Sequence, residues 1–325
     1  MKEIHFLQKN REKWAKFEKM LKSGYSSKPD DISGLFIQVT DDLAYSKTYF
    51  PDTKTTAYLN HLAQEAHYII YRNKSVSRSV ISSFWLHEYP VILYQIRKEI
   101  IYSFIILLIS VIIGIISMLQ DQGFERIILG DAYVNQTLVN ISKGDPLAIY
   151  KSMNQTDMFL GISLNNIYVS FLVFLFGIFS PVGTAIMLIK NGIMLGTFQT
   201  FIAMKGFLMD SVATIWIHGT LEIFSIIVAG AAGIVLGNSI VFPGTYTRLQ
   251  SFRQGAVKGV KIVFGLIPLF FIAAFLEGFV TRYTHAPYWI RFCIIVISIL
   301  FIIFYFFIYP QYQNSKLKNH GKHWN

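Results

Sequence analysis

The stretch Ile215–Gly237, IWIHGTLEIFSIIVAGAAGIVLG, most constrains what this chain can fold into. It is long enough to cross a bilayer as a helix, which needs roughly 20 mostly apolar residues. It also carries His218 and Glu222, four residues apart and therefore on one helical face. An ionisable pair at membrane depth is costly unless it looks into protein or water. The stretch then turns into Ala229, Gly230, Ala231, Ala232, Gly233 and Gly237, small residues that let another helix approach closely. The segment therefore belongs inside a helical bundle with its polar face inward.

Five further apolar runs make the chain polytopic. The spacing predicts spans over residues 100–119, 160–180, 184–204, 212–237, 261–281 and 289–309. Pro181 and Gly183 predict a tight turn between the second and third, and a polar link covers 120–159. The expected fold is all-α: a polytopic bundle of about six transmembrane helices over 100–310, with an N-terminal cytoplasmic helical domain over 1–76, an interfacial amphipathic helix over 77–99 and a basic cytoplasmic tail over 311–325. In the first part, Ile4, Leu7, Trp14, Phe17 and Leu21 recur at helical spacing from residue 3 to 23. Asp30 or Asp31 can cap a second helix running to about Phe50, and a third spans Thr53 to Arg72. Before the first span, Phe84, Trp85, Tyr89 and Tyr94 crowd around a helix-interrupting Pro90, an arrangement suited to the headgroup region.

The charge distribution sets the expected topology. The chain has 29 Lys and Arg against 19 Asp and Glu, and 15 of the basic residues lie within residues 1–99. Arg97 and Lys98 precede the first span, Arg248, Arg253 and Lys258 lie in an acid-free link, and lysines 316, 318 and 322 follow the last span. Six spans put every basic-rich segment on one side, so both termini are expected in the cytoplasm of a bacterial or archaeal cell. A net charge of +10 is accounted for in this way, and no nucleic-acid partner is expected. The N-terminus is charged and lacks the apolar core of a signal peptide, so the first span is expected to act as the insertion signal. The sole cysteine, Cys293, excludes an intrachain disulfide. Three Asn-x-Ser/Thr sequons, at Asn135, Asn140 and Asn154, fall in the Asn-rich outer link, where chance accounts for them.

The polar residues expected inside the membrane are Asn165, Asn166, Lys190, Asn191, His218, Glu222 and Glu277. They can serve as interhelical hydrogen-bond partners that fix packing, as an ion or proton path, or as a cavity for a lipid or partner helix. A metal site is a further use. However, no H-E-x-x-H occurs, and His218 with Glu222 and Glu277 gives one imidazole and two carboxylates without a second deep histidine. No metal and no cofactor are expected. No nucleophile–base arrangement, Walker loop or dinucleotide-binding glycine pattern stands out, so the chain is not expected to be an enzyme. Two GxxxG pairs, Gly192/Gly196 and Gly233/Gly237, are candidate helix-packing faces, and with them and the aromatic-rich first and last spans a homodimer is expected.

Asn165-Asn166 opening a span, Asn191-Gly192-x-x-x-Gly196, His218-Gly219-x-x-Glu222 followed by AGAAGIVLG, and LIPLFFIAAFLEGFVT together resemble the stage II sporulation protein M family. Trp14 to Glu18 and Asp41-Asp42-Leu43-Ala44 extend the resemblance towards the N-terminus. It implies an integral membrane protein of bacteria or archaea. In spore formers the named member works with cell-wall hydrolases as their membrane-embedded partner. The expected function is a scaffold or assembly factor for a membrane complex, with lipids and other membrane or envelope proteins as partners. The alternative is an ion- or proton-coupled channel or transporter using Glu222, Glu277 and His218.

Overall fold

The computed structural model describes residues 3–22, 29–72, 82–121, 123–143, 155–281 and 287–319. All regular structure among these residues is helical. The chain divides into two compact units, Met1–Ile81 and Ser82–Asn325.

The first unit is a three-helix assembly of α1 (Glu3–Lys22), α2 (Pro29–Tyr49) and α3 (Lys54–Arg72). Its core is Phe6, Trp14, Phe17, Leu21, Val39, Leu59, Leu62 and Ala66. In α1 those residues share one face, because their spacing follows the helical repeat. Trp14 is buried but keeps its polar edge satisfied: its indole N–H donates to Asp42 Oδ2 at 2.8 Å, and Lys13 pairs with the same carboxylate oxygen. Tyr58 donates to Glu18 Oε2 at 2.9 Å, and partial burial, this bond and the carboxylate charge push the phenol up to about 12. The described residues of this unit have a core of their own, as a water-facing domain requires.

The second unit is built around one long helix. Its elements are α4 (Tyr89–Gln95), α5 (Arg97–Gln120), the short α6 (Phe124–Leu129) and α7 (Asp131–Ser142), α8 (Gln155–Leu175), α9 (Ser180–Met204), α10 (Leu208–Val241), α11 (Arg248–Gly265), α12 (Ile267–Phe275), α13 (Tyr288–Ile302) and α14 (Tyr309–Asn319). Wider π-helical turns precede α4 (Phe84–Glu88), follow α12 (Leu276–Thr281) and join α13 to α14 (Ile303–Ile308). Helix α10 has 34 residues, about 51 Å at the α-helical rise. It packs against α5, α8, α9, α11, α12 and α13. The stretch singled out in the sequence is thus the centre of the bundle, and its small residues, from Ala229 to Gly233, are buried there.

Five continuous helical stretches are long and apolar enough to cross a membrane, the second being Phe159–Met204 with 46 residues. That stretch turns back on itself. Thr184 Oγ1 donates to the Val173 carbonyl at 3.2 Å, although 11 residues along one straight helix would separate them by about 16 Å. Ser180, with φ 75°, marks the reversal. Helices α8 and α9 are therefore the two arms of a hairpin, which makes six candidate crossings among the described residues.

Two expectations change. The link expected over 238–260 is mostly helix: α11 begins at Arg248 with a capping box formed by Thr247 and Gln250. It continues because Ser251, Gly255, Gly259 and Ile262 line one buried face while the basic side chains lie elsewhere. The polar link over 120–159 contains α6 and α7. Val134 of α7 packs with Met118, Phe201 and Ile202 over that end of the bundle.

The aromatic segment before the first span is also placed differently. Tyr89, expected at the lipid interface, is 0% exposed and sits in the bundle core. Its hydroxyl donates to Ile262 O at 3.2 Å. The Trp85 indole donates to Gly265 O at 3.1 Å and stacks on Phe264, and Phe84 meets the same ring edge-on. Tyr305, Tyr309 and Gln313 donate to the carbonyls of Trp85 and Leu86, satisfying groups that the wide turn leaves open. Phe84, Trp85 and Tyr94 are half-buried, and Tyr94 lies under the Arg97 guanidinium at 4.3 Å. Pro90 causes no break, because it lies in the first turn of α4.

Candidate functional site

Glu222 is 14 residues into α10, about 21 Å from its first residue and close to the middle of the helix. Around it the structure gathers residues from three segments. Asn166 of α8 donates from Nδ2 to Glu222 Oε1. His218, one turn away on the same face, holds Nε2 at 3.7 Å from Glu277 Oε2 and Nδ1 at 3.1 Å from Thr281 Oγ1. Glu277 and Thr281 both come from the π-helical turn after α12, and both are buried. The Thr281 hydroxyl donates to Leu276 O at 3.1 Å. One donor atom each from His218, Glu222 and Glu277 lies within 4.8 Å of the other two.

The hydroxyl of Thr281 has a single hydrogen, and Leu276 O takes it. Nδ1 of His218 lies at hydrogen-bond distance from that hydroxyl oxygen, and Nε2 is the ring nitrogen that faces Glu277.

The other expected members lie elsewhere. Asn165 and Lys190 are exposed on the outward face of the bundle. Asn191 turns back to its own helix and donates to Met187 O at 2.8 Å. Both GxxxG pairs are used inside the chain. Gly192 and Gly196 meet α5, where a Cβ on Gly196 would run into the Val111 carbonyl. Gly233 and Gly237 meet the hairpin, where Cβ atoms would strike Thr184 and Pro181. Both pairs thus serve packing within the chain.

Sequence reasoning missed Thr281 and Arg291. Arg291 of α13 is buried, donates to Thr214 Oγ1 at 3.1 Å one turn along α10 from His218, and lies over the Tyr288 ring. Tyr288 in turn donates to Asp210. The available signal was an arginine only two residues into an apolar run, where a lipid-facing position is costly.

These crossings and this buried polar centre define a multi-pass helical membrane protein. Residues 103–282 match the stage II sporulation protein M family, and the chain belongs to that family. The match runs from α5 to the turn after α12, leaves out α13 and α14, and does not carry the resemblance read at Trp14–Glu18 and Asp41–Ala44. Residues 4–72 match instead a domain of unknown function (DUF8413). No curated protein and no solved structure matches the chain significantly.

Proposed function

We propose that this protein is a non-enzymatic scaffold or assembly factor of a membrane complex in the bacterial or archaeal cytoplasmic membrane, with both termini in the cytoplasm. The observation that carries this reading is the division of labour between the units. A family bundle crosses the membrane, while a helical unit with its own aromatic core and a separate family match precedes it. A self-cored appended domain suits recruitment of partners, because it can bind without disturbing the helices in lipid. The exposed side chains of Ile37 and Tyr49 give that unit apolar contact points. The test is in-membrane crosslinking of the full chain, followed by mass spectrometry. The reading expects a defined set of membrane or envelope proteins, reduced at least severalfold by Ile37→Glu with Tyr49→Glu. Capture unchanged by those substitutions contradicts it.

One observation favours a second reading, an ion- or proton-coupled channel or transporter. Two glutamates and a histidine meet near the middle of the central helix, where transport paths place such groups. Glu222→Gln separates the two readings. It keeps shape and hydrogen-bonding capacity, so scaffolding survives, whereas flux through liposomes containing the purified protein is abolished if the carboxylate carries the ion.

A further inference from the structure

We propose that His218, Glu222 and Glu277 form a binding site for a divalent transition-metal ion of the zinc class, at the junction of α8, α10 and the turn after α12. A resident ion is compatible with either functional reading, so the inference depends on neither. It departs from the expectation of no metal, which rested on the absence of a second deep histidine. The fold brings all three of these side chains together, Glu277 from a distant segment.

Four features carry it. The first is geometry. Zinc–nitrogen and zinc–oxygen bonds of about 2.0–2.2 Å in a tetrahedral arrangement set ligand atoms roughly 3.4 Å apart. His218 Nε2 and Glu277 Oε2 are 3.7 Å apart, and the widest of the three separations lies within 4.8 Å. Rotation of the glutamate side chains closes the remaining gap. The second is the tautomer. Thr281 Oγ1 lies 3.1 Å from Nδ1 and can accept its proton, the arrangement that turns the Nε2 lone pair toward the Glu277 carboxylate.

The third is the supporting shell. Thr281 fixes the imidazole and Asn166 fixes the Glu222 carboxylate, as outer-shell partners do at metal sites. Ser163 and Ser170, one turn to either side of Asn166 on α8, are buried with hydroxyls that lack a partner among the described residues. They extend the same polar stripe. The fourth is charge. Two carboxylates in apolar surroundings need compensation, and a divalent cation supplies two charges at once. Arg291, a turn further along, is engaged with Thr214 and Tyr288. One imidazole with two carboxylates is a borderline donor set. It suits zinc, manganese or ferrous iron over copper(I), which prefers sulfur.

The test uses the full chain, purified in mild detergent with an affinity tag free of histidine. Metal content is measured by elemental mass spectrometry before and after loading with zinc, and cobalt(II) is titrated as a spectroscopic probe. The proposal expects one ion per chain and a cobalt spectrum showing nitrogen and oxygen coordination. His218→Ala and Glu277→Gln should each weaken binding at least tenfold. Thr281→Val, which keeps the volume but removes the oxygen that orients His218, should weaken it about 10-fold or more. Glu88→Gln, at the surface pair with Lys261, should leave it unchanged. Each variant is checked for a monodisperse elution profile. Should His218→Ala misfold, Thr281→Val and Glu277→Gln carry the test. A folded wild-type chain that takes up no zinc, cobalt or manganese overturns the proposal. So does uptake that all three cluster variants leave intact, since that places the ion elsewhere, such as the tail histidines His320 and His323.

Discussion

Adding one methyl group at Gly233 should loosen the whole bundle. This glycine sits where the α8–α9 hairpin crosses α10, and a Cβ there would overlap Thr184 Oγ1 and crowd Thr184 Cγ2 and the Val173 carbonyl. Thr184 is fully buried and bonded to Val173 O, so it yields only by breaking that bond, at about 1 kcal/mol. Overpacking itself costs about 1–3 kcal/mol. Alanine is better than glycine in a helix by about 1 kcal/mol, which offsets part of the loss. The net for Gly233→Ala is about 1–3 kcal/mol of destabilisation. For a unit of this size, each kcal/mol lowers the melting midpoint by about 2–4 °C. Thermal melts of the purified protein in detergent should therefore fall by about 2–12 °C. Thr184→Ala removes the obstructing atoms, so the double variant should recover about 0.5–3 kcal/mol relative to the sum of the singles. A raised midpoint for Gly233→Ala, or strict additivity of the two substitutions, would refute this account of the crossing.

Three further outcomes follow from the described contacts. Tyr89→Ala should cost about 3–5 kcal/mol, as for a buried aromatic, and Tyr94→Ala under 1 kcal/mol, both read from melts of the full chain. Equal small effects would return Tyr89 to the lipid surface. Trp14→Phe keeps the ring packing but strips the Asp42 carboxylate of its indole donor, so the first unit should lose about 1–2 kcal/mol in urea titration. Reporters inserted after Lys143 and after Gly244 should appear on opposite sides of the membrane, the second in the cytoplasm; a shared side contradicts the six-crossing path.

The crossings were legible because apolar runs of that length have few alternatives, and the hairpin because Pro181 and Gly183 sit between two of them. The extension of α11 was written in Thr247-x-x-Gln250 and in the period of Ser251, Gly255, Gly259 and Ile262, but small residues on the buried face hide that period from a hydropathy reading. The site was half legible. His218 and Glu222 share a face by helix geometry alone. Lys190 and Asn166 could not be sorted, because polar residues are spread around the largely apolar α8 and α9 and only their neighbours decide which side is buried. Thr281 carries no signal as a single threonine at a span end. Its role comes from the wide turn that sets it against His218. The glycine pairs sit at close helix contacts, and their partners are α5 and the hairpin of the same chain, which spacing alone does not identify.

The convergence of α8 and α10 on Glu222 is the claim on which the site depends, and cysteine crosslinking in membranes tests it directly. Cys293, the native thiol, is exposed and is first replaced by serine. Asn166→Cys is then paired with Glu222→Cys, and Lys190→Cys with Glu222→Cys, and both are treated with a short bifunctional thiol reagent. The account predicts an intramolecular link in the first pair and none in the second. A link from Lys190, or a first pair that joins only between chains, would contradict it.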